Sequence, residues 1–281
     1  MSCSELARAA GLPLAGTAGH AKRWLLLEHR PPWGQDGTDD SGLPEELVAW
    51  FREIDGRVHL IRRPGRAQGP PLAFAARTTE SGGSLVRLPV DRLEDVMDVD
   101  PARDGIPVEG PPLVMVCTHV RRDVCCGTYG VPVYNALRRH LPHELLWRSS
   151  HQGGHRFAAN VLALPEAVQL GRVEPQAAEE VARALAERRI PLRFYRGRTL
   201  HAPEVQAADA AVRISLGLDR LADVRLVEHD GPRVVLATPG GSVEVTVEER
   251  DGPLLPASCG KEAEPMPVLE ATVHGLQPAV S

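Results

Sequence analysis

The stretch Leu113-Val-Met-Val-Cys117-Thr-His-Val-Arg-Arg-Asp-Val-Cys125-Cys126-Gly127 runs from a solid apolar segment into a polar, thiol-rich loop. Four successive apolar residues, Leu113–Val116, read as a strand buried on both faces, because a half-exposed strand would alternate. A helical pattern follows over Val131–His140 and a strand over Glu144–Arg148. Ala158–Leu164 and Ala167–Arg172 then suggest a hairpin. Pro175–Arg189 closes the series as an amphipathic helix, with Ala178, Val181, Ala182 and Leu185 on one face. The order is β-α-β-β-β-α.

Working back toward the N-terminus, the same order recurs. Trp24–Glu28 reads as a buried strand, and Pro44-Glu-Glu46 opens a helix that runs to about Ile54, with its acids beside the positive helix end. Strands are expected at Arg57–Arg62, Leu72–Arg77 and Ser84–Val90, with Gly82-Gly83 as a turn, and a short helix at Asp91–Met97. The spacing therefore predicts an α/β fold of two tandem thioredoxin-like units, about 20–105 and 110–190. Beyond them, Ala207–Leu216 looks helical, and Val224–His229, Arg233–Thr238 and Ser242–Glu248 form a strand meander turned by Asp230-Gly231 and Gly240-Gly241. Residues 251–281 are Pro-rich and read as irregular, with Cys259 inside them.

Composition narrows the function classes. The 281 residues are 43% hydrophobic and 25% charged, which is ordinary for a globular protein with a sizeable core. Net charge is −5, aromatics are only 4%, and Lys22 and Lys261 are the only lysines; no basic stripe with interleaved aromatics points to nucleic acid. No apolar run approaches the roughly 18 residues of a membrane span, and the first residues lack the apolar core of a secretory leader. Five cysteines, an odd number, include the crowded set at 117, 125 and 126. In a non-secreted chain such crowding favours metal or redox chemistry over a disulfide framework.

Cys117 ends the first strand of the second unit, and His151-Gln-Gly-Gly-His155 follows the next strand of that unit. Loops leaving the same ends of neighbouring parallel strands converge on one rim, so thiols and imidazoles are expected to gather there. Gly153 and Gly154 disfavour a regular helix between the histidines and permit close backbone approach. The spacing does not fit a compact zinc finger. His119 is expected to face solvent, and Arg121, Arg122 and Asp123 to form a loop ion-pair set. After the first strand of the first unit, Arg30-Pro-Pro-Trp-Gly34 stands where the second unit has its cysteine loop. That unit is read as a structural or partner-docking half.

These elements resemble the sucrase/ferredoxin-like family of thioredoxin-like ferredoxins over most of residues 1–200. The resemblance rests on Trp24-Leu-Leu-Leu-Glu28, on Cys117-Thr-His…Arg122-Asp123-x-x-Cys126-Gly127, and on His151-x-Gly-Gly-His155-Arg-Phe-Ala-x-Asn160. It implies a [2Fe–2S] cluster held by Cys117, Cys126, His151 and His155, with Cys125 as an alternative ligand. Domains are then expected at 1–108 (a degenerate thioredoxin-like unit), 109–200 (the thioredoxin-like ferredoxin domain with the cluster) and 201–281 (a small α+β segment with a Pro-rich tail). The implied function is electron transfer, as a cytoplasmic, non-enzymatic protein serving an unknown redox partner protein, without nucleic acid or membrane. Two alternatives stand beside it: thiol-disulfide chemistry at vicinal Cys125/Cys126, and a zinc-binding module. No carboxylate pair supports glycosidase chemistry.

Overall fold

Strand β1 (Arg23–Glu28) shows why unbroken apolar runs become central strands: Trp24 and Leu26 bury on one face of it, and Leu25 and Leu27 on the other. A computed structural model describes residues 1–65 and 69–277 of the chain. A short helix α1 (Cys3–Ala9) precedes β1, and α2 (Glu45–Glu53), β2 (Arg57–Arg62), β3 (Ala73–Arg77), β4 (Ser84–Leu88) and the two-residue β5 (Ile106–Pro107) follow it. The second half contains β6 (Leu113–Cys117), α3 (Val124–Leu137), β7 (Leu146–Ser149), β8 (Val161–Leu164), β9 (Val168–Leu170), α4 (Ala178–Ala186) and β10 (Tyr195–Arg198).

All ten strands join one mixed sheet in the order β10-β9-β8-β6-β7-β2-β1-β3-β4-β5. The two halves repeat a pattern within it. β1 pairs parallel with β2 and antiparallel with β3, which pairs antiparallel with β4. β6 pairs in the same way with β7 and β8, and β8 with β9. The halves meet edge to edge where β2 pairs antiparallel with β7 through Ile61↔Ser149 and Arg62↔Arg148. Equivalent strands thus meet in opposite directions, which is a local two-fold relation.

On one face of the sheet α3 and α4 cover the second half, and α2 covers the first. The other face carries Trp24, Leu26, Ile61, Phe74, Met115, Trp147 and Leu162 among its buried residues, none of them from a helix. A flat sheet would leave that face wet, so the sheet coils upon itself to cover it. Contacts between strands distant in sheet order record the coiling: the ring centroids of Phe74 on β3 and Trp147 on β7 lie 5.7 Å apart, and Arg198 on β10 donates to the Thr79 carbonyl beyond β3 at 2.7 Å.

The remaining chain forms α5 (Pro203–Leu216), then β11 (Arg225–Asp230), β12 (Arg233–Thr238), β13 (Gly241–Arg250), the small pair β14 (Leu254–Pro256) and β15 (Ala263–Pro265), and β16 (Val268–Gln277). Helix α5 packs on the four-stranded antiparallel sheet β11-β12-β13-β16. This corrects the expectation of an irregular tail over 251–281, whose last residues, 278–281, lie outside the described ones. Leu269, Ala271 and Val273 alternate along β16 and pack on the α5 core, a period-2 signal that the surrounding prolines mask. Helix α3 also starts seven residues before the expected position, because Asp123 caps it: its Oδ1 accepts the Cys125 amide at 2.8 Å. Cys125 and Cys126 therefore lie in a helical first turn rather than a loop.

Candidate metal centre

Parallel β6 and β7 run in register, Cys117 beside Ser149, so the segments that leave them rise from the same rim. The first leads through His119 to the N-terminus of α3, and the second carries His151 and His155. Helix α3 lies close against β6 because residue 130 is glycine: a Cβ there would stand 2.0 Å from the Cys117 carbonyl oxygen.

At this rim the Nδ1 of His151 lies 3.6 Å from the Cys126 sulfur and 3.9 Å from that of Cys117. The three donor atoms fall within 4.8 Å of one another. His155 is the neighbour of His151, with ring centroids 5.3 Å apart. Its Nε2 meets the Ala257 carbonyl at 2.6 Å. A carbonyl only accepts, so Nε2 carries the proton and Nδ1 presents a lone pair. That Nδ1 is buried and has no hydrogen-bond partner among the described residues. Two thiols and two imidazole Nδ1 atoms, one of them orphaned, are a donor set that fits a thiophilic metal centre. The thiols are buried, while the imidazoles are only partly so.

Adjacent residues on a helix point about 100° apart, and the two vicinal thiols accordingly separate. Cys126 faces His151, whereas the Cys125 sulfur lies 3.5 Å from those of Cys3 and Cys259. Within the first group Cys126 donates to Cys117, which holds the Cys117 thiol well below its usual range against the opposing effect of burial; His151 adds to the lowering. The same sharing pushes the Cys126 thiol up. In the second group the Cys3 thiol, donating to Cys125, draws Cys125 down to about 6 despite its burial.

The surroundings hold the histidine segment in place. Gly154 adopts a left-handed conformation (φ 68°) at the turn before His155. Asn160 donates to the Gly154 carbonyl at 2.9 Å and accepts from the buried Arg196 at 2.8 Å, and Arg196 donates to the Gly153 carbonyl at 3.2 Å. His119, expected in solvent, is buried at 2% exposure. Its Nδ1 accepts the His151 amide at 3.2 Å, its Nε2 donates to the Gly34 carbonyl, and its ring packs edge-on against Trp33 at 5.7 Å. Both ring nitrogens are thus engaged, and His119 positions His151. The Arg30–Gly34 loop of the first half serves as its backing. Arg122 pairs with Asp36 at 2.6 Å, while Asp123 turns inward. Sequence reasoning passed over Cys3 and Cys259; the odd cysteine count was the available signal.

A thiol and imidazole centre on the strand-end rim of a mixed α/β domain is therefore what fold and site define. Residues 14–197 match the family described as sucrase/ferredoxin-like, and the chain belongs to it. Among curated proteins it is similar to "Altered inheritance of mitochondria protein 32" of Clavispora lusitaniae, 35% identical over 96 residues, covering 31% of this chain and 35% of that protein. The protein of the same name from Eremothecium gossypii is 29% identical over 99 residues, covering 30% and 32%. The matches span about a third of the length of these relatives. No solved structure matches the chain.

These findings correct the functional expectation. The relatives are named for the inheritance of mitochondria, not as [2Fe–2S] electron carriers, and the family description says only sucrase/ferredoxin-like. The reading as an electron-transfer protein is overturned. The thiols of vicinal Cys125 and Cys126 belong to different groups rather than to one pair. No helix among the described residues is long and apolar enough to cross a membrane.

Proposed function

We propose that the chain is a metal-binding protein in which Cys117, Cys126, His151 and His155 hold a [2Fe–2S] cluster. The observation that carries this reading is the donor set: two buried thiols meet the Nδ1 of His151, and beside it the Nδ1 of His155 is buried with no hydrogen-bond partner among the described residues. A bound cluster supplies a redox-active iron centre of mixed thiolate and imidazole ligation. The chain's own part is to orient and shield. The Ala257 carbonyl fixes the His155 tautomer, His119 holds the His151 backbone, and Asn160 with Arg196 clamps the intervening glycines. Such outer partners typically change metal affinity about 10–100-fold when removed.

We read each half of the sheet as a thioredoxin-like unit, supported by the shared strand order and directions of the two halves. All five cysteines are free thiols, which suits a reducing compartment such as the cytoplasm.

Anaerobic purification with iron and acid-labile sulfide analysis tests the cofactor. Two irons and two sulfides per chain are expected, with a visible spectrum that is altered in His155→Ala. Absence of sulfide, or a His155→Ala protein with the wild-type spectrum and iron content, overturns the reading.

A further inference from the structure

Outside the centre just described, three cysteines far apart in sequence meet. The sulfurs of Cys3, Cys125 and Cys259 form a triangle with each side 3.5 Å. Both carboxylate oxygens of Asp123 lie 3.9 Å from the Cys3 sulfur. We propose that Cys3, Cys125 and Cys259, with Asp123, form a second metal site for a soft divalent cation of the zinc type, which ties helix α1 and the segment after β14 to the first turn of α3.

Thiolates about 2.3 Å from a tetrahedral zinc ion stand roughly 3.8 Å apart, and a carboxylate oxygen is a common fourth donor. The observed triangle is near that size. A disulfide places its sulfurs about 2.05 Å apart, and pairing two of three thiols would leave one over. Carboxylate and thiols are supported from outside as well. Asp123 accepts the Cys125 amide at 2.8 Å and the Cys259 amide at 3.0 Å. The Cys3 amide points at the Cys259 sulfur at 3.5 Å. Preset outer partners of this kind orient metal ligands.

The location gives the ion a task. Cys3 opens α1, a helix of seven residues, and Cys259 follows the small strand β14. Helix α1 and the segment around β14 also share a small apolar cluster that includes Ala7, Leu12, Phe157, Leu255 and Met266. A metal bound only by the folded arrangement stabilises it by an amount that grows with the logarithm of its affinity. The segment fastened at Cys259 also carries the Ala257 carbonyl that holds His155. The donors are separate from those of the first centre, so this proposal does not rest on what occupies that centre.

The test uses the full chain and zinc ion, with zinc and iron measured separately. Wild-type protein is expected to retain one zinc per chain against a competing chelator. Cys3→Ala and Cys259→Ala should each weaken zinc retention more than about 100-fold, beyond the about 10–100-fold range of outer partners, and Cys3→Ala should leave the iron content unchanged. Equal zinc retention in all three proteins overturns the proposal. Mass-spectrometric mapping of thiol alkylation on wild-type protein needs no variant. Zinc should slow labelling of Cys3, Cys125 and Cys259 together. Protection confined to Cys117 and Cys126, no protection, or a disulfide within the trio in anaerobically prepared protein each overturns it.

Discussion

Oδ2 of Asp123 lies 3.7 Å from Nε2 of His155, and the same carboxylate faces the Cys3 sulfur at 3.9 Å. One side chain therefore stands between two groups of donors while it caps α3. Burial alone would raise the Asp123 pKa, but the amides of Cys259 and Cys125 and the nearby His155 hold it below the usual carboxylate range. Its charge opposes deprotonation of the nearby Cys3 and Cys126 thiols and favours protonation of His155.

Asp123→Ala should lose about 1 kcal/mol of stability from the missing cap and lower metal retention at both groups of donors. Urea denaturation followed by metal analysis checks both effects. A variant with the wild-type midpoint and metal content would show that the carboxylate holds neither the helix nor the donors.

Gly130→Ala should displace α3 from β6, since its Cβ would meet the Cys117 carbonyl oxygen at 2.0 Å. Overpacking of this kind typically costs about 1–3 kcal/mol. Because Cys126 moves with α3 and Cys117 does not, iron per chain should fall more than for Gly275→Ala, an exposed position whose added Cβ would meet nothing within 4 Å. Equal iron content in the two would argue that the helix has room to spare.

Arg213→Met tests what fastens the C-terminal unit. Arg213 is fully buried, donates to Asp209 at 2.9 Å and to the carbonyls of Arg220 and Leu221 at 2.7 and 3.2 Å. Removing one partner of a buried pair typically costs about 3–5 kcal/mol, because the other charge stays behind. Amide exchange should accelerate in β11 to β13 and much less in β1 or β6. Unchanged protection in those strands would refute the role.

The pH dependence of stability should carry the signature of His59. Burial lowers its pKa from the ordinary 6.5 to about 3, aided by the Arg57 charge. The ring stacks on Trp24 with centroids 5.6 Å apart. Below about pH 6.5 the unfolded chain takes up a proton that the folded chain refuses, so stability is full above that pH and declines as pH falls toward 3. His59→Phe should flatten the fall between pH 6.5 and 4. Chemical denaturation of wild type and variant over that range checks it, and parallel curves would rule His59 out as a source of the acid sensitivity.

The sequence by itself determined the repeated strand and helix order, because periods of 2 and 3.6 are local and the run Leu113–Val116 admits little but a buried strand. It also determined that thiols and imidazoles rise from neighbouring strand ends, and the family to which residues 14–197 belong. Which of two adjacent thiols joins which group depended on where α3 begins, and a carboxylate cap at Asp123 decided that. The burial of His119 depended on Trp33 and Gly34 arriving from the other half of the sheet. The meeting of Cys3 with Cys259 depended on the N-terminal helix α1 and the segment after β14 both returning to α3. Azimuth on a helix, coiling of a sheet and contacts between distant segments are products of packing, and packing has no period that a single sequence displays.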